Sequence, residues 1–120
     1  MRYKVGVTVP QDLDPRMFLA YAAVERAWDF VRSISPPVDI GVEATITSWG
    51  DSVHGANSYH KRQGRAIDVR TKTIPRPYVQ AFVDDLKRRI GTLGFDIVAE
   101  DVDVPHEHLH LELDDRADAA

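Results

Sequence analysis

The chain contains no cysteine. Disulfides, thiolate metal sites and cysteine nucleophiles are excluded with it, and the redox compartment leaves no trace. Any metal must be held by histidine, carboxylate and water. No apolar run approaches membrane-spanning length, and Met1 to Pro10 lacks the apolar core of a signal peptide. The expectation is synthesis in the cytoplasm with no membrane insertion, so that action outside the cell would need delivery or release. An excess of basic charge is also missing. The formal net charge is −4, which gives no general attraction to nucleic acid or anionic lipid. There are no repeats, low-complexity tracts or interdomain linkers. At 120 residues, 43% hydrophobic and 28% charged, residues 1–120 read as one soluble domain, expected to be a monomer.

What is present alternates between strand and helix patterns. Tyr3 to Val9 alternates and is β-branched, ending at Pro10. Asp14-Pro15 has the form of a helix start, a capping carboxylate before a proline. Met17, Tyr21, Val24, Trp28 and Val31 then recur at spacings of four, three, four and three, until Ser35-Pro36-Pro37 ends the helix. Val38 to Trp49 reads as a strand with Ile40, Val42, Ala44 and Ile46 on one face. Gly50 to Ser58 reads as a polar loop and Ala66 to Arg70 as a buried strand. A second helix carries Val79, Phe82, Val83, Leu86, Ile90 and Leu93 on its apolar face, with Asp84, Asp85, Lys87, Arg88 and Arg89 toward solvent and Gly94 as its C-terminal cap. Phe95 to Ala99 and His108 to Leu113 read as strands joined by the acidic segment Glu100 to Glu107. Asp114 to Ala120 reads as a tail. The order β-α-β-β-α-β-β implies an α+β domain, a mainly antiparallel sheet with two helices packed on it.

All five histidines fall in or just before two stretches, Ser58 to Arg70 and His106 to His110. A catalytic zinc site commonly takes three protein ligands and keeps a fourth position for water. His60, Asp68 and His110 offer such a set, with Glu107 as a general base for the water. Period-two alternation puts His108 and His110 on one side of their strand and sends Leu109 and Leu111 to the core. Asp68 lies beside Ala66 and Ile67, where a bare carboxylate is costly and a metal would remove the penalty. Gly64 permits a tight turn that folds His60 back toward Asp68. His54 and His106 have no fixed partner in this pattern and read as surface residues.

At these residues the sequence resembles the zinc D-Ala-D-Ala carboxypeptidase family, which includes D,D-dipeptidases, phage endolysin L-alanyl-D-glutamate peptidases and the related hedgehog domain. Ser58, His60, Gly64, Ala66 and Asp68 match its Ser-x-His-x-x-Gly-x-Ala-x-Asp signature, with one extra residue among Lys61, Arg62 and Gln63. Glu107 and His110 match Glu-x-x-His; His108 and His110 match His-x-His. Thr47 to Gly55 resembles the family's lead-in loop. The resemblance implies a hedgehog/DD-peptidase-like fold, Zn2+ on His60, Asp68 and His110, and Glu107 as base. It also implies hydrolysis of a peptide bond in bacterial cell-wall peptidoglycan, of the D,D-carboxypeptidase or L-alanyl-D-glutamate endopeptidase type. The small size and missing secretion signal look most like the phage or prophage branch, with action at the cell wall after release. Ser58, Arg65, Arg70 and His108 would contact substrate. The family usually places a carboxylate-binding arginine before the signature; Thr45 to Asn57 holds none, which leaves that role to Arg62, Arg65 or Arg70. In the hedgehog-like arrangement the acidic residue lies farther ahead of His-x-His, so Asp103 and Glu100 compete with Glu107. The alternative function is a non-catalytic zinc-binding phage structural or wall-binding module. A metal-dependent nuclease is a third, disfavoured by the acidic net charge.

Overall fold

A computed structural model describes residues 1–9, 13–34, 39–49, 65–102 and 104–113. His54, Ser58, His60, Gly64 and Asp103 lie outside the described residues. Seven elements follow in the order read from the sequence: β1 (Arg2–Tyr3), α1 (Met17–Ile34), β2 (Thr45–Ser48), β3 (Ala66–Arg70), α2 (Arg76–Ile90), β4 (Phe95–Glu100) and β5 (His108–Leu113). The strands form a five-stranded mixed sheet in the order β1-β2-β3-β5-β4. β1 runs parallel to β2, and the other three pairings are antiparallel. The α+β class holds, with one parallel edge added to an otherwise antiparallel sheet.

Alternation along the central strands divides the sheet into two chemistries. Ile67 and Val69 of β3, Ile97 of β4 and Leu109 and Leu111 of β5 join one core cluster with Val24, Trp28, Phe82 and Leu86 of the two helices. Full burial of each such side chain is worth about 1.5–3 kcal/mol. The residues between them, Asp68, His108 and His110, point to the opposite face. Trp28 fastens the helix layer: its ring meets Phe82 edge-on at 5.8 Å, and its indole N–H donates to the Gly41 carbonyl at 2.8 Å.

Several boundaries differ from the sequence reading. The first strand spans only Arg2–Tyr3, and the second only Thr45–Ser48. Gly41, at φ +96, bends the chain ahead of β2, so Val42 leaves the apolar face and is 69% exposed while Ile40, Ala44 and Ile46 stay buried. Asp14 caps α1 as expected, accepting the Arg16 backbone N–H at 3.0 Å. The Arg16 side-chain hydrogen bond outweighs partial burial and holds the Asp14 carboxyl below its usual value of 3.8. α2 begins at Arg76, ahead of Pro77, and ends at Ile90 with Gly91 as its cap. Leu93 and Gly94 therefore belong to the turn that follows. Leu93 is largely exposed, and Gly94 turns the chain into β4 at φ +88. Asp85 does not face solvent. It is buried, and Arg88 and Arg89 fold over it as ion-pair partners. Trp49 is core: it stacks on Tyr21 at 6.3 Å and lies 6.2 Å from Tyr3.

Candidate metal centre

The register of the antiparallel strands assembles the centre. Across β3, β5 and β4, Arg70 pairs with His108 and His108 with Glu100; Asp68 pairs with His110 and His110 with Val98; Ala66 pairs with Glu112 and Glu112 with Asp96. Three rows of one sheet face thus carry two imidazoles and four carboxylates. Such a concentration of charge on half-buried strands is costly unless the groups pair or hold a cation.

Asp68 and His110 are the closest pair. His110 Nδ1 lies 2.5 Å from Asp68 Oδ1, and its Nε2 lies 3.2 Å from Oε2 of the buried Glu112. Burial works against a charged His110. The Asp68 hydrogen bond and charge, with Glu100 and Asp96 behind it, outweigh that cost and raise its pKa above 6.5. His108 sits one row away. Its Nε2 is 3.8 Å from Asp68 Oδ2 and 3.5 Å from Glu100 Oε1. One donor atom each from Asp68, Glu100 and His108 lie within 4.8 Å of one another, a spacing that fits a metal ion.

Of the residues expected at the site, Asp68, His108 and His110 come together. Glu107 stands at the edge of the group. It is buried, its carboxylate 2.9 Å from Arg76 Nη2 and 3.0 Å from the Thr71 hydroxyl, which donates to it. It still lines, with Asp68 and His108, a cleft of about 300 Å³ whose cations are Lys4, Arg70 and Lys72. Arg65 is buried, 3.8 Å from the Asp14 carboxylate, and is not part of the cleft lining. His106 is exposed and pairs with Asp101 at 3.3 Å.

Three partners were not anticipated from sequence: Glu112 behind His110, Arg76 on Glu107, and Glu100 as a group in the donor cluster rather than a rival base. The signal for Glu112 was available, since it continues the period-two run His108, His110, Glu112. Nothing local points to Glu100 or Arg76, whose positions follow from strand register and helix placement. Comparison with family models, curated proteins and solved structures gives no match.

Proposed function

We propose that the chain is a zinc-dependent peptidase that hydrolyses a peptide bond in bacterial peptidoglycan, built on a hedgehog/DD-peptidase-like fold and acting at the cell wall after release. The observation that carries this reading is the Asp68–His110 pair, 2.5 Å apart on adjacent strands, with Asp68 lining the cleft. It joins the two ends of the sequence signature across 42 positions. The donor types suit zinc, which binds imidazole and carboxylate readily in a chain without thiolates. His60, from outside the described residues, is the further ligand implied by the signature.

Bound zinc would polarise the scissile carbonyl and lower the pKa of water toward neutrality. The chain's own residues supply the rest. Glu107, held in direction by Arg76 and Thr71, takes the proton of the attacking water and passes it to the leaving amine as the C–N bond breaks and a C–O bond forms. Arg70 and Lys72 in the cleft wall attract a carboxylate of the peptide. Mass spectrometry of peptidoglycan fragments after digestion, with zinc quantified in the same preparation, tests the reading. New termini that vanish in Asp68→Ala and Glu107→Gln are expected. Intact fragments from zinc-loaded protein would refute it.

A second reading, a non-catalytic zinc module, is favoured by the ion pair on Glu107, which commits its carboxylate to Arg76. In that case zinc supports folding alone, and Glu107→Gln keeps both zinc and every other property apart from a change in stability.

A further inference from the structure

We propose that the outer edge of β4 is a docking site for an extended peptide segment in which two basic side chains flank an apolar one, the segment adding to the five-stranded sheet as a further strand. The proposal goes beyond the peptidase reading and does not depend on it.

β4 ends the sheet, and among the described residues its one strand neighbour is β5. The ladder fixes which of its backbone groups turn outward. The Leu113 N–H donates to the Arg65 carbonyl at 2.8 Å, and the Glu107 carbonyl accepts from the Thr71 N–H at 3.5 Å. Backbone direction alternates along an antiparallel strand. Leu109, Leu111 and Leu113 therefore turn their backbone groups to β3, while His108, His110 and Glu112 turn theirs to β4. The residues that receive them are Glu100, Val98 and Asp96. Phe95, Ile97 and Ala99 are left with N–H and C=O groups directed away from the sheet, and these bond to no other described residue. Edge strands are commonly blunted by lysine, proline or a bulge. β4 has none of these, and its pairing with β5 runs unbroken from Phe95 to Glu100.

The side chains along this edge say what would fit. Asp96, Val98 and Glu100 alternate on the polar sheet face. Val98 is 50% exposed and Glu100 46%. Side chains directly opposite on paired strands lie about 4.5–5.5 Å apart and interact, opposite charges favourably. A cation opposite Asp96 and another opposite Glu100, with an aliphatic side chain over Val98 between them, complements the row. Between β4 and the end of α2 runs a groove of about 530 Å³, lined by Phe95, Ile97, Lys87, Gly91 and Thr92 among others. It receives the side chains that an added strand turns to the helix side.

A second copy of this chain fits less well. Pairing two β4 strands about Val98 sets Asp96 of one chain opposite Glu100 of the other, and like charges directly opposite destabilise a sheet. Each copy also carries a net charge of −4. The acidic row thus opposes self-pairing and selects a basic partner.

Backbone amide exchange of the full chain, read by NMR, tests the proposal with the peptide acetyl-Thr-Lys-Thr-Val-Thr-Lys-Thr-amide. The peptide is expected to slow exchange at Ile97 and Ala99 and to leave Val98 and Glu100 unchanged, since those are already bonded to β5. Glutamate in place of both lysines should weaken binding about tenfold. N-methylation of the two threonines beside valine, whose N–H groups would face β4, should abolish binding; N-methylation of the valine should not. Asp96→Lys, outside the donor group that contains Glu100, should weaken binding about tenfold, with circular dichroism confirming that it folds. Absence of alternate-residue protection would overturn the proposal, as would equal binding of the acidic peptide or of both methylated ones. Protection at Ile97 and Ala99 that grows with chain concentration in the absence of peptide would assign the edge to a second copy instead. None of these readouts changes if the chain cleaves no peptidoglycan.

Discussion

His110 lies between two carboxylates, Asp68 on one ring nitrogen and Glu112 on the other. In metal-free protein this arrangement favours the protonated ring, and its pKa is raised above 6.5. A pKa that is higher folded than unfolded adds stability below the unfolded value, and that stability is lost as pH rises through the folded value. Chelator-treated protein should therefore lose part of its stability as pH rises above 6.5 and through the raised folded value, and His110→Gln should flatten that dependence. Urea unfolding across this range measures it; a His110→Gln profile as steep as the parent's would contradict the assignment. Zinc affinity should run the other way and rise with pH, because binding must displace the Nδ1 proton. Glu107 poses a separate test. Arg76→Ala removes one of the two side chains, with Thr71, that bond a buried carboxylate and should cost roughly 1–3 kcal/mol in urea unfolding. No loss of stability would mean that water serves the carboxylate as well as the guanidinium does.

The elements were largely legible because their patterns are local. The run Met17, Tyr21, Val24, Trp28 and Val31 can bury one face only as a helix, and α1 follows it. His108, Leu109, His110 and Leu111 alternate, and the structure buries the leucines while the histidines lie on the other face. What the sequence left open is mostly non-local. Glu100 meets His108 because β4 and β5 pair in one register, and a slip of one residue would send it to the core face. Asp85 falls outside the run of apolar residues read as the buried stripe of α2, yet Arg88 and Arg89 one turn later cover it. Gly94 reads from the sequence as the C-terminal cap of α2, a place that Gly91 takes. Gly94 sits after the cap, where the left-handed backbone launches β4. Gly94→Ala should cost roughly 1–2 kcal/mol for that conformation. Because β4 carries Glu100, the variant should also weaken zinc binding. Denaturant titration and chelator competition on one preparation check both effects, and a neutral substitution would contradict the strain.

At the scale of the molecule, one apolar core presses the helices against one sheet face and leaves the other to charge. Leu109 is fully buried between His108 and His110. Leu109→Ala is expected to cost about 2–5 kcal/mol, and the slackened strand should lower zinc affinity although no ligand is altered. Thermal unfolding with and without zinc separates the two losses. Among the described residues no helix is long and apolar enough to cross a membrane. The fold's main product is thus the polar sheet face, where Asp68, His108, His110 and Glu100 meet. Its most direct test is metal analysis of protein purified without chelator, beside Asp68→Ala prepared the same way. One zinc per parent chain, and none in the variant, is the expected result. A parent chain without zinc that takes up none when it is supplied would contradict the metal centre and the function built on it.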